Sequence, residues 1–277
     1  MIGASKRNVL LAGLPRSGTT LTCHLLNKVD NCVAMHEPLA PHSLAGLEQS
    51  DIVVRIKSFF EAQRLQILES GTATSKAFNK QIPPNHLLGR FDGRGRKRLL
   101  NGRIIRVTNV KCEDFSLFVK HPNMFTACLP FLRHQVECFA IMRNPLAVLL
   151  SWRNAEMNVT RGRIPAGELF DKDLAARLDG LPDVLDRQFY LLNYFFDRFE
   201  RFLSGRTVRY EDIIASGGRV LSLLHPSASN LNERLKSRNR LGVQADPDAS
   251  TIAKRLLRSD GPYWSFYAKE DVKRLLL

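Results

Sequence analysis

The segment from Asn8 to Thr20 constrains the fold of this chain more than any other. Asn8 to Gly13 (NVLLAG) is a short apolar run ending in glycine, which suits a strand buried on both faces of a parallel sheet. From Ser17 the pattern changes to a helical apolar face carried by Thr20, Leu21, Cys23, Leu25 and Leu26. The unit is therefore strand, glycine-bounded turn, helix. In the turn, Gly13 and Gly18 let successive backbone N–H groups point into one concavity, and the helix adds the positive end of its dipole. Arg16 brings a forked charge, and Ser17, Thr19 and Thr20 bring hydroxyls. Every part of the turn favours a bound oxyanion.

The rest of the chain extends this pattern. Cys32 to Met35, Ile104 to Val110, Ser116 to Val119, Val136 to Met142 and Thr207 to Tyr210 read as strands. Ile52 to Leu68, Leu146 to Trp152 and Leu185 to Leu203 read as helices, the last with an aromatic stripe (Phe189, Phe195, Phe196, Phe199) that suits core packing. Strands alternating with helices predict an α/β protein with a mainly parallel sheet flanked by helices, its ligands at the carboxyl ends of the strands. The 277 residues fit one domain, 1–277.

Composition narrows the partners. The net charge of +14 calls for an anionic one: nucleic acid, a membrane surface or a small polyphosphate ligand. Seven lysines or arginines fall between Arg90 and Arg106, opposed only by Asp92, and read equally as a solvated loop or an anion site. No window is apolar enough for a membrane span, and the apolar run near the N-terminus stops at Leu14-Pro15-Arg16, unlike a signal peptide. The five cysteines are scattered singly without metal spacing, which favours reduced thiols and a cytoplasmic location. On that reading the Asn158-Val-Thr160 sequon is a chance match.

The spacing Gly13-x4-Gly18 matches the start of a Walker A loop, but Thr19 stands where that loop has its phosphate-clamping lysine. Pro15-Arg16-Ser17-Gly18-Thr19-Thr20 instead resembles the 5′-phosphosulfate loop of the sulfotransferase superfamily. A second anion motif follows the strand VECFAIM: Arg143-Asn-Pro, with Ser151 eight residues on, about two helical turns. It is similar to the 3′-phosphate motif of the same superfamily. Tyr210-Glu211-Asp212 resembles a third element, in which the tyrosine faces the nucleotide in some members.

The resemblance, closest to the tyrosylprotein and bacterial branch, implies the sulfotransferase fold and transfer of a sulfuryl group from 3′-phosphoadenosine 5′-phosphosulfate to a hydroxyl or amine. It implies no metal requirement. It assigns cofactor binding to Arg16, Ser17, Gly18, Thr19, Thr20, Arg143, Ser151 and Tyr210. In the tyrosylprotein branch a glutamate near the loop is the general base, and Glu37 falls at the matching position. Lys120-His121-Pro122 resembles a Lys-x-Pro element whose lysine faces the sulfuryl group, so Lys120 and Arg16 complete the implied catalytic set. His36 and His121 remain alternative bases. His121 stands one residue early for the Lys-x-His of cytosolic members, which on a strand turns a side chain to the other face. The family's C-terminal Arg-Lys-Gly element is not evident, and Lys254, Arg255 and Arg258 are the basic residues in that part of the chain. The aromatic tail from Gly261 either covers an acceptor or closes the core.

Two other classes remain. A P-loop kinase or NTPase would need ATP with magnesium, and the missing loop lysine opposes it. A nucleic-acid-binding module would explain the charge, but no aromatic-basic interleaving supports it. The excess charge also suits an anionic acceptor.

Overall fold

The computed structural model describes residues 6–85 and 100–277, with the backbone alone of residues 87, 88, 97 and 98. The basic run from Arg90 lies mostly outside the described residues. The elements that place the site are seven strands: β1 (Arg7–Gly13), β2 (Cys32–His36), β3 (Thr72–Ala77), β4 (Gly102–Arg106), β5 (Ser116–Lys120), β6 (Glu137–Met142) and β7 (Thr207–Arg209). The principal helices are α1 (Thr19–Leu26), α2 (Gln49–Ser70), α3 (Pro122–Leu132), α4 (Pro145–Arg153), α5 (Pro165–Glu168), α6 (Lys172–Asp179), α7 (Val184–Phe202) and α8 (Tyr210–Ala215). The C-terminal part adds α9 (Asn239–Ala245), α10 (Ala249–Leu257) and α11 (Lys269–Leu276).

Five strands form one parallel sheet in the order β2-β5-β1-β6-β7. Its middle strands are buried on both faces, as their continuous apolar runs require. The sheet is the α/β scaffold expected from the sequence, with helices packed against it. Buried apolar side chains from Val9 to Val272 make one continuous core. The stripe on α7 lies in it: Phe195 meets Trp152, and Phe196 meets Tyr263 and Tyr267. The aromatic tail therefore closes the core.

One expected strand lands elsewhere. The run expected from Ile104 to Val110 is β4, displaced to Gly102–Arg106, and it pairs antiparallel with β3 outside the central sheet. Nothing in TATSKA announced β3, because its residues are small or polar, and register with β4 rather than apolar weight makes it a strand. Beside β2, the Ser75 hydroxyl accepts a hydrogen bond from the His36 N–H at 2.9 Å. Tyr210 opens α8 instead of ending the last strand. Cys23, Cys32, Cys128 and Cys138 are buried and Cys112 is exposed, all as free thiols. No described helix is long and apolar enough to cross a membrane.

Candidate functional site

The turn after β1 is fixed by bonds to its carbonyls and hydroxyl. Gly13 has φ +146° and sits so close to β6 that a Cβ would come within 2.6 Å of the Ile141 carbonyl oxygen. The Ser17 N–H donates to the Leu14 carbonyl at 3.1 Å, and its hydroxyl donates to the Ile141 carbonyl at 2.7 Å. Trp152 Nε1 donates to the Pro15 carbonyl and Arg143 to the Arg16 carbonyl, at 2.8 and 2.9 Å. Arg16 and Gly18 both take positive φ, +70° and +95°. With its carbonyls bonded by Trp152 and Arg143 and its Ser17 hydroxyl on β6, the turn leads into α1, whose first N–H groups fall outside the helical bonding pattern. The fully buried Ser17 hydroxyl braces the turn and lines neither of the two cavities described below.

Two cavities adjoin at this turn and share Arg16 and Thr19. The smaller, about 330 Å³, is bounded by Gly18, Thr20, Arg143 and Tyr210 on one side and Arg234, Lys236 and Arg238 on another. Arg143 is buried, its guanidinium carbon lying 4.7 Å from the centroid of the Tyr210 ring. Asn239 Oδ1 accepts from Arg143 Nε at 2.7 Å, and Asn239 Nδ2 in turn donates to Glu211 at 2.7 Å. Glu211 also accepts from the Asn144 N–H at 3.0 Å and the Tyr267 hydroxyl at 2.9 Å. Tyr210 and Glu211 thus aim Arg143. Burial pulls the Arg143 pKa down from its usual value, opposed by Tyr210 and Glu211.

Ser151 is placed differently from the expectation that it shares an anion with Arg143. It lines neither cavity and accepts a hydrogen bond from Arg16 Nε at 3.3 Å, so it lies behind the loop arginine. Lys254, Arg255 and Arg258 are likewise absent from the cavity lining, and Arg255 pairs with Asp186 over the Phe189 ring. The cations that sequence reasoning missed are Arg234, Lys236 and Arg238. They alternate along a stretch without regular structure, with Leu235 turned inward and lining the same cavity. That period of two was the available signal.

The larger cavity, about 590 Å³, holds the other candidate residues: Arg16, His36, Glu37, Lys120 and His121. Parallel pairing of β2 and β5 sets His36 opposite Lys120, and the next residue, Glu37, donates its N–H to the Lys120 carbonyl at 2.8 Å. Glu37 takes φ +46°, which turns its carboxylate back across the strand ends. Lys120 Nζ lies 2.9 Å from Glu37 Oε1 and 3.0 Å from His36 Nε2. Lys76 on β3, a residue the sequence did not single out, lies 2.6 Å from Glu37 Oε2.

Burial alone would raise the Glu37 pKa, but Lys120 and then His36 drive it well below the usual carboxylate range. Burial, aided by Lys120, holds His36 at about 4. Burial does the same to His121 against the opposing pull of Glu37. Burial also lowers the Lys120 pKa, opposed by Glu37. The cluster is one carboxylate between two lysines, flanked by two neutral imidazoles. Of the histidines read as structural, His24 bonds the Ile82 carbonyl and His225 is buried, whereas His42 lines this cavity.

No family model matches the chain, and no curated protein matches it. Among solved structures the chain is similar to the crystal structure of sulfotransferase STF1 from Mycobacterium tuberculosis H37Rv. The two are 14% identical, the match covers 99% of this chain and 77% of the other, and the TM-score is 0.35.

Proposed function

We propose that this chain is a sulfotransferase that takes its donor in the smaller cavity and its acceptor in the larger. The observation that carries this reading is the place of the Arg16–Thr20 turn, which stands between a cavity lined by five cations and one holding a carboxylate paired with a buried lysine. The donor set fits a nucleotide with phosphates at two positions. Arg143 and Arg16 belong to the turn and its buttress, while Arg234, Lys236 and Arg238 ring the far side. Tyr210 supplies an aromatic face beneath Gly18, where a Cβ would collide with its ring at 2.7 Å.

When bound, 3′-phosphoadenosine 5′-phosphosulfate supplies the sulfuryl group and is released as the bisphosphate. The protein's part is positioning and charge. Glu37, held ionised, accepts the proton of the acceptor hydroxyl. Lys120 leaves Glu37 Oε1 to meet the negative charge on the departing oxygen, and Lys76 keeps hold of Oε2. Thr19, Thr20 and the first N–H groups of α1 receive oxyanion charge. His36 and His121, neutral and buried, shape the pocket around Glu37.

The test is calorimetric binding of 3′-phosphoadenosine 5′-phosphate against ATP with magnesium, on the wild type and Arg143→Ala. Binding without metal is expected, weakened about 100-fold in the variant, as suits loss of a buried charge-assisted contact. Preference for ATP with magnesium would move the chain to the kinase class.

A further inference from the structure

The strand that carries Lys76 is irregular at that residue. β3 and β4 pair Thr74 with Ile104 and Ala77 with Gly102, so three steps along β3 answer two along β4. The extra residue falls at Ser75 and Lys76, and a bulge of this kind re-aims a side chain. The buried Ser75 hydroxyl holds the bulge against the central sheet by accepting from the His36 N–H. Successive N–H groups of β2 point to opposite sides, so Glu37 bonds β5 while His36 bonds β3.

These bonds set up a row across the strand ends. The Arg16–Thr20 turn follows β1, Lys120 ends β5 beside it, Glu37 follows β2, and Lys76 stands on β3 beyond. Lys120 therefore reaches Glu37 Oε1 from the donor side, at 2.9 Å. Lys76 reaches Oε2 from the sheet edge, at 2.6 Å. Two lysines on one carboxylate leave this trio with one positive charge in excess. Lys120 can thus be given up to a donor oxyanion without leaving the carboxylate unpaired, a state that is costly away from water.

We infer that Lys76 is the positioning residue of the base, fixing Glu37 Oε2 and remaining its counter-ion once Lys120 has turned to the donor. This rests on the sulfotransferase reading and deepens it. In the step, the acceptor oxygen bonds to sulfur as the bond from sulfur to the phosphate oxygen breaks. The acceptor proton passes to Glu37 Oε1, and the bisphosphate carries away the electron pair. Lys76 acts through Glu37 alone.

Glu37 is faced by Lys76 from β3, by Lys120 and the adjoining His121 from β5, and by His36 from β2. Cys23 of α1 stands behind Lys120 and Glu37 as a neutral thiol, its pKa pushed up to about 12 by burial. Arg16, His42, Glu156 and Arg163 line the same cavity and are unaltered in every variant below.

The experiment needs no acceptor. It follows the Glu37 carboxyl carbon by NMR in protein labelled there with carbon-13, the signal being assigned by its loss in Glu37→Gln. Titrations run from about pH 8 to about pH 5, above the ordinary carboxylate range, with and without saturating 3′-phosphoadenosine 5′-phosphate. The wild type should stay ionised throughout. Without the bisphosphate, Lys120→Met should raise the midpoint more than Lys76→Met. With the bisphosphate bound the order should reverse. Lys76→Met should then raise the midpoint into the titrated range, by about one unit or more, the usual effect of removing an adjacent opposite charge. Lys76→Arg should restore the wild-type signal, and Lys76→Gln repeats the test should methionine disturb the strand. Failure of the bisphosphate to bind the wild type would overturn the donor reading itself. Binding with Glu37 still ionised in the bound Lys76→Met and Lys76→Gln proteins would overturn the assignment of Lys76 alone. So would a shift in bound Lys120→Met as large as that in bound Lys76→Met, or no rescue by arginine.

Discussion

Glu37 carries a lysine on each carboxylate oxygen, and that arrangement decides what its substitution does. Lys120 is 2% exposed and shares its charge with Glu37 and His36, so the pair sits in a low-dielectric setting where one partner without the other is costly. Glu37→Gln is expected to lower sulfuryl transfer about 10²–10⁴-fold, the usual worth of a general base. Binding of 3′-phosphoadenosine 5′-phosphate should stay within about threefold, because Glu37 is outside the smaller cavity. Steady-state rates with calorimetry on the same preparation check both. His121→Asn with comparable loss and Glu37→Gln near wild type would move the base to the histidine. The residue types of this cluster were legible in MHEP and KHP. Lys76 was not, since it lies 39 positions from Glu37 on a strand with no apolar signature.

At the scale of elements, the turn between β1 and α1 works because Trp152 of α4 and Arg143 grip its carbonyls, its Ser17 hydroxyl donates to β6 and Tyr210 packs under Gly18. Gly18→Ala asks for φ +95° from a residue with a side chain and brings its Cβ to 2.7 Å from Tyr210 Cδ2. The strain should cost about 1–3 kcal/mol, read as a lower Tm, and bisphosphate affinity should fall at least about tenfold as the turn shifts. Tyr210→Ala in the same chain removes the collision and should recover part of the Tm but little of the affinity. Full recovery of both would mean the ring contact alone makes glycine necessary there. The segment Arg234-Leu-Lys-Ser-Arg238 belongs to the same scale. Its basic residues work together because Arg234, Lys236 and Arg238 all line the smaller cavity.

At the scale of the whole molecule, two imidazoles are enclosed in the core beside the site. His36 and His121 are both neutral, with pKa values near 4 against an ordinary value of 6.5. Between those values the unfolded chain binds protons that the folded chain does not, so stability falls as pH drops from about 6.5 to about 4. Each contributes on the order of 3 kcal/mol above that window. Glu37 acts in the same direction lower down, its stabilisation being lost as pH falls below 4.5 toward its depressed value. Thermal melts from pH 7.5 to 4.5 should show a steep loss of Tm that His121→Asn flattens. Equal slopes in wild type and variant would mean that His121 is already charged in the fold.

The sequence by itself determined the scaffold and the turn. Apolar runs ending in glycine or a basic residue suit buried parallel strands, and a glycine-bounded turn before a helix gathers N–H donors. It also put Glu37, Lys120 and Arg143 at strand ends, where α/β sheets hold ligands. Only the tertiary structure decided what those residues meet. Sheet order brought His36 and Glu37 against Lys120 across 83 or 84 positions, and placed Lys76 on the far carboxylate oxygen. It turned Ser151 toward Arg16, gave Glu211 the task of aiming Arg143 through Asn239, and supplied distal cations from residues 234–238. The physical reason is that a residue's type and local period are set by its neighbours in the chain, whereas its partner and its charge state are set by whatever the packed sheet places beside it.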